Sequence, residues 1–116
     1  MKKINIVKNS RDFDRIIKNN KPYIYKDYVI YLEKDTNEYY KFGVSVSKKL
    51  GNAVNRNKIK RQIRSIIGEN DYQNNFNCII IVGRGINDRS FQERRKNLLI
   101  ALEKLNLIKE NTNEKK

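Results

Sequence analysis

The sequence predicts an α+β or α/β fold, a two-layer sandwich in which helices pack on one β-sheet. Three observations indicate it: an alternating apolar segment at residues 39–47, a continuous apolar run at residues 78–82, and helical apolar spacing in three other segments. Their order is helix, strand, strand, helix, strand, helix. The 116 residues suit one domain. We expect residues 4–108 to be ordered and residues 109–116 to form a polar tail.

The first half of the chain predicts one helix and two strands. Ser10 is expected to cap a helix that runs to about residue 19, with Phe13, Ile16 and Ile17 as its apolar stripe. Pro22 ends this helix. Residues 23–33 are rich in aromatic and β-branched side chains and predict a single strand, followed by a turn at residues 35–37.

The second strand is predicted at residues 39–47, with one face in the core and the other small and polar. The expected core positions are Tyr40, Phe42, Val44 and Val46.

The second half predicts two helices around one strand. After a break at Gly51, a helix is expected at residues 54–67, ending near Gly68. A strand at residues 77–84 contains the apolar run and should be covered on both faces. Ser90 and Glu93 match a capping box that opens a last helix, ending near residue 107. The expected inner positions of the two helices are Ile59, Ile63, Ile66, Ile67, Leu98, Leu102 and Leu105.

Positive charge is concentrated in one segment. Residues 39–68 contain eight Lys or Arg and no Asp or Glu, and these eight bases account for +8 of a net charge of +13. An ordinary solvated helix would carry acidic partners four residues away from its bases. Their absence favours a face that binds a polyanion, because each neutralised phosphate releases condensed counterions.

The composition excludes several classes of function. The chain has no His and a single Cys, so it has no Ser-His or Cys-His catalytic pair, no intrachain disulfide and no Cys/His zinc site. Its acidic residues form no recognisable acid–base pair. No apolar stretch approaches 18 residues and the first residues lack the apolar core of a signal peptide, so we expect a cytoplasmic protein without membrane contact.

Two further features have more than one interpretation. Gly83-Arg84-Gly85 follows a predicted strand but lacks the remainder of a dinucleotide or P-loop motif, which favours an ordinary turn. Phe13 and Tyr31 suit either the core or a groove on which unpaired bases stack.

Residues 42–64, which read FGVSVSKKLGNAVNRNKIKRQIR, closely resemble the signature of the bacterial ribonuclease P protein family. The similarity extends from Asp12 and Phe13 through residues 28–31 and 79–81 to the last helix, and so covers about residues 4–108. The resemblance implies a mixed sheet of about four strands and an uncommon left-handed β-α-β crossover through the basic helix, against the usual right-handed rule.

The resemblance also implies a function. In that family the RNA subunit is the catalyst. It uses Mg²⁺ to hydrolyse the phosphodiester that joins the 5′ leader to the rest of precursor tRNA. The protein subunit binds the catalytic RNA and the leader, and by itself is expected to be inactive. The implied partners are therefore these two RNAs, with no protein partner evident. Mg²⁺ would be bound chiefly by the RNA, and the protein alone would hold no metal or cofactor.

By motif position, the resemblance assigns three groups of residues. The catalytic RNA would contact Arg56, Asn57, Lys58, Lys60, Arg61 and Arg64. Lys48 and Lys49 would add phosphate contacts, and the leader cleft would contain Phe13, Ile17, Val29 and Tyr31. The chain departs from the family pattern at Lys58, where Arg is usual, at Ile17, where an aromatic is frequent, and at Gly83, where Ala is common. A ribosomal-protein-like structural RNA-binding module is the alternative, and co-purification of a catalytic RNA would distinguish the two.

Overall fold

The fold is a mixed four-stranded sheet with helices packed on it, as seen in a computed structural model that describes residues 2–35 and 38–109. The helices and strands are α1 (Ser10–Asn19), β1 (Pro22–Tyr25), β2 (Tyr28–Lys34), β3 (Tyr40–Val46), α2 (Ala53–Ile67), β4 (Phe76–Val82) and α3 (Phe91–Lys104). Short 3₁₀ turns occupy Lys3–Asn5, Lys48–Leu50 and Arg84–Asp88.

The strand order β1-β2-β4-β3 explains why the sheet is mixed. β1 pairs antiparallel with β2 and β2 antiparallel with β4, whereas β3 and β4 run parallel. Parallel neighbours require a crossover connection, and α2 supplies it. The predicted fold class is thereby confirmed, and the handedness of the crossover stays a prediction.

The single strand predicted at residues 23–33 is wrong, because the chain turns back on itself there. β1 and β2 form a hairpin in which Tyr25 pairs with Tyr28, so Lys26 and Asp27 make a two-residue turn. Lys26 adopts a positive φ of 52° without being Gly or Asn. Asp27 is a common turn residue, but Lys26 occupies the position with positive φ, where Gly or Asn is usual, so the pair does not match a typical hairpin turn. Of the turn predicted at 35–37, residues 36 and 37 lie outside the described part of the chain.

The helix boundaries were predicted well except at two ends. The side chain of Asn9, rather than Ser10, caps α1 by accepting a hydrogen bond from the Asp12 amide. Asn52 caps α2 in the same way, and Gly68 follows its last residue as expected. The capping box of Ser90 and Glu93 is confirmed, although α3 ends at Lys104 and not near residue 107.

The main core lies between the sheet and the pair α2 and α3. The four predicted Ile of α2 and the predicted Leu98 and Leu102 of α3 are all buried, and Leu105 packs at their margin. From the sheet, the predicted face of β3 contributes Phe42, Val44 and Val46. Cys78 lies in this core, where burial raises the pKa of its thiol and keeps it protonated.

A second, smaller core lies on the opposite face of the sheet, under α1. It consists of buried Val7, Ile16 and Ile79, with Phe13, Ile17, Tyr31 and Ile81 partly buried around them. β4 is therefore covered on both faces along much of its length, as its continuous apolar run predicted.

Candidate nucleic-acid interface

The bases of the segment at residues 41–64 have no acidic partners in the described part of the chain. The ion pairs found there join Arg15 to Asp12 and Glu33, Arg89 to Asp27, and Arg95 to Glu69. All of them use bases outside the segment. An unpaired basic surface carries its full potential to an approaching phosphate, which an ion-paired surface does not.

α2 presents most of these bases along one flank and its outer side. Arg56, Lys60 and Arg64 recur every fourth residue and are partly buried against the edge of the core, while Asn57 and Arg61 are exposed. Arg56 is held by a hydrogen bond from its Nε to the carbonyl oxygen of Gly51, 3.2 Å away. These five residues form one continuous surface, as predicted, which we call the α2 basic surface.

Lys58, the sixth predicted contact on α2, lies at the margin of the α2 basic surface. It is exposed and lies about 60° around the helix axis from Arg61 but about 160° from Lys60, at 100° per residue. Four residues on, Gln62 accepts a hydrogen bond from Arg94 of α3 at 2.6 Å. Lys58 is therefore on the side of this surface that is nearer to α3, and its contact with RNA stays a prediction.

Four exposed bases continue the positive surface to one end of the sheet. Because β3 and β4 are parallel, both finish at this end, and Tyr28 pairs with Val82, which brings the β1–β2 turn there too. Lys48 and Lys49 follow β3, Arg84 follows β4 and Lys26 lies in the turn. We call these four residues the basic edge. Sequence analysis predicted Lys48 and Lys49 but missed Lys26 and Arg84, since their neighbours are known only from the strand pairing.

The predicted cleft residues lie on the face of the sheet that carries α1. Phe13 and Ile17 of α1 and Tyr31 of β2 pack around the same small core, and all three stay partly exposed. Val29 is on the same face of β2, one row of paired residues beyond Tyr31, and is not packed in either core. The structure thus brings the four predicted residues to one surface beside α1, which we call the cleft.

Two apolar residues of the cleft were missed by sequence analysis. The register pairs Val29 with Ile24 on one side and with Ile81 on the other, so the three form a continuous apolar floor that ends at Ser45. Ile24 is 65% exposed. Finding these residues required the strand register, which the sequence did not reveal.

Gly43 lets α1 approach the sheet closely. A Cβ atom placed on Gly43 would lie only 2.6 Å from Cζ of Phe13 and 2.8 Å from Cδ1 of Ile79. A larger residue at this position would push the Phe13 ring away from the sheet. The Phe13 ring thus packs on the small, polar face predicted for β3.

Comparisons with known proteins identify the family of this chain. The family model described as Ribonuclease P matches residues 1–106. The chain belongs to the ribonuclease P protein family. The ribonuclease P protein component of Streptococcus agalactiae serotype III is 36% identical over 109 residues, which cover 93% of this chain and all of that protein.

Two solved structures of the ribonuclease P family share the fold. An RNase P protein mutant from Staphylococcus aureus matches with a TM-score of 0.82 and 30% identity, covering 91% of this chain and 92% of that one. The RNase P protein from Thermotoga maritima matches with a TM-score of 0.76 and 28% identity, covering 84% of this chain and 94% of that one.

Within residues 2–35 and 38–109 of this ribonuclease P family chain, no group of three or more His, Cys, Asp or Glu side chains is arranged to hold a metal ion. None of the helices described there has both the length and the apolar character needed to cross a bilayer.

Proposed function

We propose that this chain is the protein subunit of a bacterial ribonuclease P and binds the catalytic RNA through the α2 basic surface. The observation that carries the proposal is the concentration of charge on α2, which carries five bases and no acidic residue, and none of these bases has an ion pair among the described residues. Arg61 and Asn57 point outward, where a phosphate and a ribose could both be reached. Family membership supports the same partner.

The cleft is proposed to hold the single-stranded 5′ leader of precursor tRNA. Its partly exposed aromatic and aliphatic side chains suit stacking of unpaired bases of any sequence. The basic edge lies beside the open end of the cleft, where Lys48, Lys49 and Arg84 can neutralise leader phosphates. The α2 basic surface and the cleft lie on opposite faces of the sheet, so both RNAs can bind at the same time.

The reaction we propose is removal of the leader by hydrolysis in the bacterial cytoplasm, to give the mature 5′ end of the tRNA. The RNA subunit performs it and binds the Mg²⁺ that it needs. The protein contributes affinity and position, since its described residues offer neither a metal cluster nor a catalytic pair.

Reconstitution tests this function. The protein, a bacterial ribonuclease P RNA and precursor tRNA are combined at low Mg²⁺, and each component is also assayed alone. We expect cleavage at the mature 5′ end only when RNA and protein are both present. Cleavage by RNA-free protein would contradict the proposal. If the protein binds RNA but never stimulates cleavage, the structural RNA-binding module becomes the better description.

A further inference from the structure

A polar network joins α1 to the sheet on the flank away from the cleft. The guanidinium of Arg15 donates two hydrogen bonds to the Glu33 carboxylate, from Nη2 to Oε1 at 3.0 Å and from Nε to Oε2 at 3.3 Å. Its third nitrogen, Nη1, donates to Oδ1 of Asp12 at 2.6 Å. The fork of Arg15 thus fixes both distance and orientation between the helix and β2, which a single-point contact would not do.

The network continues into the sheet through Asn77 of β4. This side chain is only 4% exposed, and its Nδ2 donates to Oε1 of Glu33 at 2.8 Å and to Oδ2 of Asp35 at 2.7 Å. The hydrogen bonds from Arg15, and secondarily from Asn77, hold the pKa of Glu33 below its ordinary value. Glu33 is therefore a charged acceptor fixed from both sides at neutral pH.

The network and the cleft floor lie on the same sheet face, on either side of the row that α1 covers. Tyr31 pairs with Ile79 in the row that α1 covers, and Glu33 pairs with Asn77 in the next row on one side. The cleft floor is the next row on the other side. On α1, Arg15 lies about 160° around the helix axis from Ile17, at 100° per residue. One flank of α1 is thus tied down and the other borders the cleft.

Apolar packing beneath α1 does not by itself fix its roll. Three buried side chains, Val7, Ile16 and Ile79, and four partly buried ones form the core there. Apolar contacts have no preferred direction, so they tolerate rotation of the helix about its axis more readily than the directional hydrogen bonds of Arg15 do. Any roll of α1 moves Phe13 and Ile17 relative to Tyr31, and so changes the width of the cleft.

We infer that Arg15 and Glu33 are positioning residues, which fix the roll of α1 and thereby keep the cleft at the width that accepts a single-stranded leader. The inference rests on the proposed function of the cleft. It assigns a supporting role in polyanion binding to an acidic residue. Simple electrostatics gives the opposite expectation, because removal of a negative charge strengthens binding to a polyanion.

The test uses the holoenzyme reconstituted with the catalytic RNA and measures the affinity for precursor tRNA and for leaderless mature tRNA. The variants are Glu33→Gln, Arg15→Met and the double variant. Asp14→Asn is the matched control, since Asp14 is exposed on α1 and makes no ion pair among the described residues. Thermal unfolding of each variant is recorded, and binding is measured well below its midpoint.

We expect Glu33→Gln and Arg15→Met each to weaken the binding of precursor tRNA by about threefold to fivefold, the range of a partly exposed ion pair. The binding of mature tRNA should not weaken. The double variant should bind precursor tRNA no more weakly than the single variant with the lower affinity, because both substitutions remove the same interaction. Asp14→Asn should leave precursor affinity unchanged or slightly higher.

Three results would overturn the inference. Unchanged or tighter precursor binding by Glu33→Gln means that Glu33 does not position the cleft. A loss in Arg15→Met alone means that Arg15 contacts the leader phosphates directly. Equal losses for both tRNAs that follow a loss of fold mean that the pair is only structural. Phe13→Ala separates these failures from a failure of the proposed function: if it also leaves the precursor preference unchanged, the cleft itself is not the leader site.

Discussion

Phe13 shows how one side chain can serve both packing and binding. Its ring rests on Gly43 and Ile79, yet it stays partly exposed at the wall of the cleft. Tyr31 borders the same groove from the sheet and is also partly exposed. Neither ring belongs to the main core, where the aromatic cluster of Tyr40, Phe42, Tyr72 and Phe76 is closely packed. This placement favours base stacking over a purely structural role.

Substitution of these two rings by Ala tests that interpretation. If each ring stacks on a leader base, each substitution should cost about 1–3 kcal/mol in binding of precursor tRNA. Affinity for mature tRNA and for the catalytic RNA should barely change. If Phe13 is instead an ordinary core residue, its substitution should mainly lower the free energy of unfolding, by about 3–5 kcal/mol. Binding of the two tRNAs measured beside thermal stability distinguishes these outcomes.

Glu33 should make the stability of the fold depend on pH in acid. Its pKa is lower in the folded protein than the ordinary value of 4.5, chiefly through the hydrogen bonds from Arg15. The unfolded state therefore binds the proton more readily, so the contribution of Glu33 is complete above pH 4.5 and is lost as the pH falls through the lower folded value. The free energy of unfolding of the wild type minus that of Glu33→Gln should be constant above pH 5 and shrink below pH 4.5. A difference that is independent of pH down to pH 3 would contradict the pair.

At the scale of single elements, the sequence was most informative where one pattern had only one structural solution. The run at residues 78–82 is too apolar for an exposed position, and β4 is covered on both faces as predicted. The period of the four Ile on α2 likewise oriented that helix correctly. The β1–β2 hairpin was missed because Lys26, and not Gly or Asn, occupies the turn position with positive φ. The cleft floor was not predicted for the same reason, since Ile24 pairs with Val29 only through the hairpin register.

The α2 basic surface should account for most of the salt dependence of binding to the catalytic RNA. Replacing Arg56, Lys60, Arg61 and Arg64 by Gln should flatten the log–log plot of affinity against salt concentration by about 3–4 units, at roughly 0.9 or less per phosphate contact. Affinity measured between 50 and 200 mM NaCl gives the slope.

The matched control for this variant removes four exposed bases elsewhere, Lys3, Lys18, Lys96 and Lys104, and so has the same net charge. Its slope should stay close to that of the wild type, because net charge alone does not define a contact. Equal slopes for the two variants, with both folded, would place the RNA interface on another surface. Lys58→Gln should change the slope by no more than the roughly 0.9 of one phosphate contact, because Lys58 lies at the margin of the α2 basic surface, on the side nearer to α3.

At the scale of the whole molecule, the two proposed RNA surfaces lie on opposite faces of one sheet and meet at the basic edge. A mixed sheet makes this possible, because the parallel pair β3 and β4 brings the start of α2 and the end of β4 to the same end of the sheet. The cost of the arrangement is a net charge of +13 on a chain of 116 residues. Like charges repel one another in the compact state, so the free protein is less stable than its packing alone would make it.

Salt should therefore act on the free protein and on its complex in opposite directions. Between 10 and 150 mM NaCl the screening length falls from about 30 Å to about 8 Å, which weakens repulsion among exposed bases. We expect the midpoint of thermal unfolding of the free protein to rise by at least about 2 °C over this range, as a stabilisation of roughly half a kcal/mol would produce. Affinity for the catalytic RNA should fall over the same range. The variant without Arg56, Lys60, Arg61 and Arg64, with a net charge lowered by four from +13, should show a smaller rise in midpoint. A midpoint that stays constant or falls with salt would mean that the positive charges are too far apart to destabilise the free protein, and that the concentration of bases on α2 carries no cost in stability.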